Sequence, residues 1–465
     1  NLFDDMTVTA IVKKKIEKDQ QRFTWVGTIE GDPWGTAIIS VNGEKVSGHI
    51  DADNRSFSIR PMGKGVHFVY EYKDNHALDL KNDIADLPSV SSNTILEEDT
   101  VLGAGDDGTV IDILVGYTAD SFAATADIDS EIATDIAYTN DALAKSCVNF
   151  RYNLVHAQQY TYTETGNMNT DLTALANTSD GEMDDIHDDR VTYGADLVQL
   201  WVQTNRDYCG LAYAPSLISL NSAYGFSVKL RACASATTAH ELGHNLSLIH
   251  DRYEGGIGLK DYTVASNYGY VNTMKKIGTI QTYTTECSAY GFSCTRVSYY
   301  SNPRVLNDGM KLGIPAIADS ASNLNLARTT VAAYQTSTIT STPDLTGCTA
   351  TPDENENLTS CFIATAAFGS YLDPHVLHLR HFRDNMLMST PWGQKIVSWY
   401  YKVSPTYAKK IQHNHLAKNV VKAILSPIIY ILSSPVKGFF TILLLWISIH
   451  GVLKKYYFTK RRAYS

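Results

Sequence analysis

Histidines stand at 240, 244 and 250 in the segment Thr238-Ala239-His240-Glu241-Leu242-Gly243-His244-Asn245-Leu246-Ser247-Leu248-Ile249-His250-Asp251. On a helix, residues four apart share a face, so His240 and His244 can aim imidazole nitrogens at one point. Zinc takes such donors at about 2.0–2.1 Å in a tetrahedron. His250 is six residues beyond His244, roughly 9 Å further along the axis if the helix ran on, so the helix must stop near Leu246–Ser247 and turn back. Three histidines leave the fourth position open to water, as in catalytic rather than structural sites. Glu241, beside the ion but not bound to it, can take a proton from a water whose pKa zinc lowers toward about 7 and pass it to a leaving amine. Such chemistry would hydrolyse peptide bonds without a covalent intermediate, so no nucleophilic Ser or Cys is required.

The elements that must position these residues are legible from periodicity. Val110-Ile111-Asp112-Ile113-Leu114-Val115 reads as a buried strand, and Ile132, Ile136 and Leu143 follow at helical spacing. A strand near 149–157, helices at about 168–177 and 181–192, and strands at 196–203 and 226–232 lead into the histidine helix. Strands interleaved with helices predict an α/β domain, a twisted mixed sheet with helices packed on it. Upstream, residues 24–72 alternate apolar and polar at period two with Asn42-Gly43 as a tight turn, predicting a small antiparallel sheet domain. Residues 73–106, polar and acidic, read as a connector. The division expected is 1–106 sheet domain and connector, 107–336 catalytic domain, 337–360 linker, and 361–465 a helical tail.

The chain has 465 residues, 44% of them hydrophobic, and a net charge of -10. That is too long for a single core and too apolar for disorder. The charge is divided: residues 361–465 carry fourteen Lys and Arg against two Asp, leaving twenty-five against forty-seven in residues 1–360. An acidic body argues against nucleic acid as a partner. A basic tail beside the uncharged Gly438–Leu453, with apolar Ile424–Val436 upstream, suits a membrane. The acidic run Asp180–Asp189 with His187 is expected to be a solvated helix face rather than a calcium or second zinc site.

The histidine segment resembles the zinc signature of metzincin peptidases, and Asp251 after the third histidine is similar to the reprolysin/adamalysin variant. Asp207-Tyr208-Cys209-Gly210-Leu211-Ala212-Tyr213, Tyr299-Tyr300-Ser301-Asn302-Pro303 and Ala318–Asn325 resemble stretches of bacterial reprolysin-like peptidases. The likeness covers about 107–336, and the sheet domain resembles, more loosely, the prosegment of a zymogen. It implies a zinc endopeptidase acting on protein or peptide substrates, with an extended substrate pairing with an exposed strand edge. Ser247 stands where the family has a glycine in left-handed conformation, which costs another residue roughly 1–2 kcal/mol. Gln281, in Gly278-Thr279-Ile280-Gln281-Thr282-Tyr283, stands where the family's turn beneath the metal has Met. Zinc is still expected to bind, since Met is not a ligand there. These two departures support an alternative, a catalytically weak surface binding or adhesion protein on the same fold. Tyr283 matches a tyrosine that some metzincins place near the metal, where it could hydrogen-bond an oxyanion. Asp251 is expected to anchor the turn through local hydrogen bonds.

Seven cysteines at 147, 209, 233, 287, 294, 348 and 361 lack zinc-ribbon or redox spacing and read as disulfide formers with one left over. Cys209 with Cys233 would tie the approach to the zinc helix, and Cys287 with Cys294 would clip a short loop. No cysteine lies in the sheet domain, so that domain cannot place a thiolate on zinc. Cys361-Phe362-Ile363-Ala364-Thr365-Ala366-Ala367-Phe368-Gly369 resembles the CFI-box of exported bacterial proteins, a module implying sorting machinery or an anchor. The expected location is therefore exported, at a bacterial cell surface or outer membrane, or released after tail processing.

Overall fold

The computed structural model describes residues 2–3, 5–72, 83–88, 109–204, 208–251, 267–272, 275–283, 287, 293–314, 318–338, 362–368 and 414–433, with isolated positions between 379 and 411. The described residues fall into two compact units, one reaching to about residue 353 and one comprising mainly the residues beyond it.

Six strands, β1 (Ala10–Glu17), β2 (Arg22–Ile29), β3 (Asp32–Asn42), β4 (Lys45–Ala52), β5 (Arg55–Gly63) and β6 (Val66–Glu71), form an antiparallel meander in chain order. Alternation over 24–72 anticipated most of it. The strand β1 went unread because nearly all of Ala10–Glu17 is exposed, so its sequence lacks an inward apolar face. Asn42 pairs with Lys45, which puts Gly43 and Glu44 at the centre of the hairpin, one residue later than expected. Gly43 has φ +61° at the first central position, a conformation that glycine adopts freely.

A second sheet runs β7-β11-β12-β10-β8-β9, built from β7 (Ile84–Ala85), β8 (Thr109–Tyr117), β9 (Phe150–Gln159), β10 (Leu197–Val202), β11 (Gly210–Tyr213) and β12 (Phe226–Leu230). The strands β12, β10, β8 and β9 are mutually parallel; β11 is antiparallel to β12, and β7 adds to the far side of β11 in parallel. Successive side chains point to opposite faces. Ile111, Ile113 and Val115 therefore share a core with the helices α2 (Ile128–Lys145) and α5 (Ser235–Asn245), whereas Leu114, Val198, Leu200 and Val228 pack with α3 (Met168–Ala176) and α4 (Asp185–Tyr193). Five-residue α1 (Ala119–Ala123) precedes α2. The α4 helix begins later than the sequence suggests and stops at Gly194, φ +67°, a glycine C-cap.

The first sheet lies on α2. Ser47 Oγ meets Ser130 Oγ at 2.6 Å, Arg60 Nη1 donates to Glu131 Oε2 at 3.0 Å, and Lys145 Nζ donates to Thr36 Oγ1 at 2.7 Å. Beyond α5 the chain is mostly irregular, with short β13 (Val271–Asn272), β14 (Ile277–Gly278), β15 (Thr295–Arg296), β16 (Asn302–Asn307) and β17 (Met310–Leu312), then α6 (Ser320–Val331).

In the second unit, α7 (Phe362–Phe368) and α8 (His415–Ser433) are helical, and Ala364, Phe368, Leu379 and Leu425 cluster there. Among the described residues no helix is long and apolar enough to cross a membrane. Cys361, Cys348 and the uncharged stretch Gly438–Leu453 lie outside the described residues.

Candidate metal and catalytic site

Every residue of α5 is buried, so the helix runs through the protein and carries its polar groups into a shielded space. Asn245, at its end, donates from Nδ2 to the carbonyls of Tyr213, Tyr224 and Phe226 at 2.9–3.0 Å, fastening the helix to the sheet. Termination occurs where the spacing of the histidines required it. Ser247 N–H donates to the His244 carbonyl at 2.9 Å and Leu248 N–H to the Gly243 carbonyl at 3.0 Å, the pair of bonds of a Schellman motif. Ser247 takes the left-handed position, φ +72°. Its carbonyl accepts from Asn267 Nδ2 at 2.6 Å and Asn323 Nδ2 at 3.4 Å, contacts that hold the strained turn in place.

The turn delivers His250 back to the helix. His250 Nε2 lies 3.1 Å from His244 Nε2, and the rings of His240 and His250 are 5.2 Å apart. His240 Nδ1 donates to the Ile280 carbonyl and His244 Nδ1 to that of Leu248, each at 2.8 Å. Those bonds place the proton on Nδ1 and leave Nε2 as a lone pair facing the others, as a metal-ligating histidine requires. Burial lowers the pKa of His240 to about 4, keeping that imidazole neutral, and also lowers that of His250. One further side chain enters the group: Asp83 Oδ1 is 2.5 Å from His250 Nε2 and 3.3 Å from His244 Nε2, and its Oδ2 is 3.3 Å from His240 Nε2. All four potential ligand atoms lie within 4.8 Å of one another.

Converging lone pairs and a carboxylate repel one another unless a cation lies among them, so the donor set fits a zinc ion. Three of the separations agree, 3.1 Å between His244 and His250 and 3.3 Å from Asp83 to each of His240 and His244, whereas Asp83 stands closer to His250, at 2.5 Å. Ligands on a tetrahedral ion with bonds of about 2.0–2.1 Å stand about 3.3 Å apart.

Glu241 is buried on the same helix, and β11 passes so near that a Cβ on Gly210 would fall 2.2 Å from Glu241 Oε1. Beneath the histidines, the Gln281 amide packs on Gly243, where a Cβ would meet it at 3.0–3.2 Å, and lies 3.5 Å from His244 Nδ1. Tyr283 is buried with its ring 4.2 Å from that of His250, and its hydroxyl accepts from Asp83 N–H at 3.4 Å. Burial first, then the Asp83 carboxylate, push its phenol far above the usual pKa, so it stays a donor.

Asp251 Oδ2 accepts from Tyr283 N–H at 2.8 Å, so it anchors the crossing 281–283 segment.

Both expected disulfides are present, Cys209–Cys233 and Cys287–Cys294. In the acidic run, Asp180, Glu182, Asp185 and Asp188 are exposed, Asp184, His187 and Asp189 are half-buried, and His187 Nε2 donates to the Asn177 carbonyl at 2.9 Å.

Sequence reasoning missed Asp83. It lies among many acidic residues in a stretch that read as a connector, and the one local signal was the apolar pair Ile84-Ala85 that follows it. Two residues are too few to show a period.

A family model described as metallo-peptidase family M12B, reprolysin-like, matches residues 130–251, which include most of α2, all of α5 and the three histidines. A peptidyl-Asp metalloendopeptidase of Stenotrophomonas maltophilia is 30% identical over 310 residues, 66% of this chain and 72% of that protein. Another, of Xanthomonas campestris pv. campestris, is 28% identical over 353 residues, 71% of this chain and 80% of its own. A solved structure, metalloproteinase-II from Bacteroides fragilis, aligns with a TM-score of 0.33 at 10% identity over 52% of this chain and 77% of that one, too slight a likeness to carry an argument.

Proposed function

We propose that this chain, which belongs to the reprolysin-like M12B metallopeptidases and is a zinc-dependent peptide hydrolase, cuts within protein chains with His240, His244 and His250 as metal ligands and Glu241 as proton carrier. The observation that carries the assignment is the convergence of three imidazole nitrogens with the tautomers of two fixed by the Ile280 and Leu248 carbonyls. When bound, zinc supplies Lewis acidity that brings a water's pKa toward about 7. Glu241 accepts a proton from the attacking water and delivers it to the departing amine. Gly210 leaves room for that carboxylate beside the edge strand. Tyr283, held protonated by its surroundings, donates to the carbonyl oxygen as negative charge builds on it. An extended substrate pairs with β11, the edge of the main sheet apart from two-residue β7.

The relatives' name makes aspartate the expected residue at the cleaved bond. Export is supported by two disulfides in the catalytic unit, since such bonds persist in oxidising compartments. The tail that begins at Cys361 is then a sorting or anchoring module, and mass analysis of the native protein tells anchoring from removal.

The deciding measurement is zinc content with cleavage of casein and of peptides bearing single aspartates, beside Glu241→Gln. About one zinc per chain in both forms, with cleavage lost in the variant, supports the reading. Zinc binding without cleavage in either form, once residues 1–106 are removed, would sink it.

A further inference from the structure

Peptide hydrolysis requires an open coordination position, and Asp83 stands in it. Its carboxylate touches all three histidines. Its backbone is held as well: the Asp83 carbonyl accepts from Ala212 N–H at 3.2 Å, and Ile84 and Ala85 pair in parallel with Ala212 and Tyr213 of β11. The strand edge that a substrate would use is thereby filled by the chain itself.

We propose that Asp83 is a built-in stopper, a fourth metal ligand supplied from the N-terminal region, which keeps the full chain latent until that region is cut away or drawn out. The proposal rests on the reading of His240, His244 and His250 as ligands. Three features distinguish Asp83 from a substrate residue caught in the cleft. Its side-chain carboxylate, not a peptide carbonyl, lies at the histidines. Its own carbonyl is turned to β11 and so is withheld from Glu241. And Tyr283, the donor proposed for the oxyanion, meets Asp83 instead, through both its N–H and its carboxylate. One residue thus fills the fourth coordination position and diverts the tyrosine together. With no cysteine among residues 1–146, the carboxylate takes the blocking place that a thiolate could otherwise fill.

The six-stranded sheet ahead of Asp83 meets α2 through apolar and polar contacts alike: Val26 and Ile38 share a core with Ile132 and Ile136, Ser47 meets Ser130, and Arg60 meets Glu131.

The test uses the full chain carrying Glu241→Gln, which prevents self-digestion, loaded with Co2+ as a spectroscopic stand-in for zinc. Acetohydroxamate, a bidentate metal ligand, is titrated against this chain and against the same chain with Asp83→Ala. The expected result is one metal per chain in both, with hydroxamate changing the visible spectrum of the Asp83→Ala protein at concentrations at least tenfold lower. Equal affinity in the two overturns the stopper while leaving the ligand assignment intact. Metal still bound after His244→Ala overturns the ligand assignment itself. Should Asp83→Ala lose its fold by circular dichroism, Asp83→Asn decides on the same criterion, because it keeps the shape and removes the charge. With Glu241 restored, Asp83→Ala should cleave casein at least a hundredfold faster than the uncut parent chain.

Discussion

Gly210 and Glu241 are in such close approach that a single methyl group between them would stand 2.2 Å from the carboxylate oxygen. The edge strand and the active-site helix are therefore spaced for a glycine, and the position of the proton carrier depends on a residue with no side chain. Gly210→Ala should push Glu241 from its seat, lowering kcat/KM by about a hundredfold, since general base catalysis contributes roughly 10²–10⁴. Zinc content should not change. Loss of zinc as well would show that the strand supports the histidines rather than the base.

Ser247 pays for its left-handed backbone, φ +72°, with steric strain. Ser247→Gly should stabilise the protein by about 1 kcal/mol. For a unit of this size that is about 2–4 °C in Tm. A fall in Tm would mean that the serine hydroxyl contributes more than the strain costs.

Acid should weaken the metal-free protein in a defined window. The unfolded chain protonates His240 near pH 6.5, whereas burial holds the folded state's pKa at about 4. The unfolded state alone takes up that proton between the two values, so stability is complete above about 6.5, declines as the pH falls toward 4, and levels off below. His250 acts in the same direction. Urea unfolding of chelator-treated protein across this range checks the sign; a midpoint that rises on acidification would contradict it.

Cys209 and Cys233 close a loop of 24 residues leading into α5. Replacing both by alanine should cost about 3 kcal/mol by the chain-entropy model. The approach to the helix should loosen first, so cleavage should fail at a lower temperature than in the parent, measured as residual activity after brief heating. Unchanged heat tolerance would place the constraint elsewhere.

The sequence by itself settled what depends on local spacing. His240 and His244 share a helix face, His250 demands a break before it, and the break falls at Ser247 because the helix can close its last turn there only with a left-handed residue. The strands at 109–117 and 197–202 announced themselves because burial on both faces makes a nearly continuous apolar run. The exposed strand Ala10–Glu17 gave no such signal. Tertiary structure alone decided that Asp83 enters the site, that Asp251 holds Tyr283, and that Gly210 makes room for Glu241. Each of these is a meeting of segments far apart in the chain, through one carboxylate or one missing side chain. Periodicity records which face of an element is buried; it carries no record of which distant residue will lie against that face.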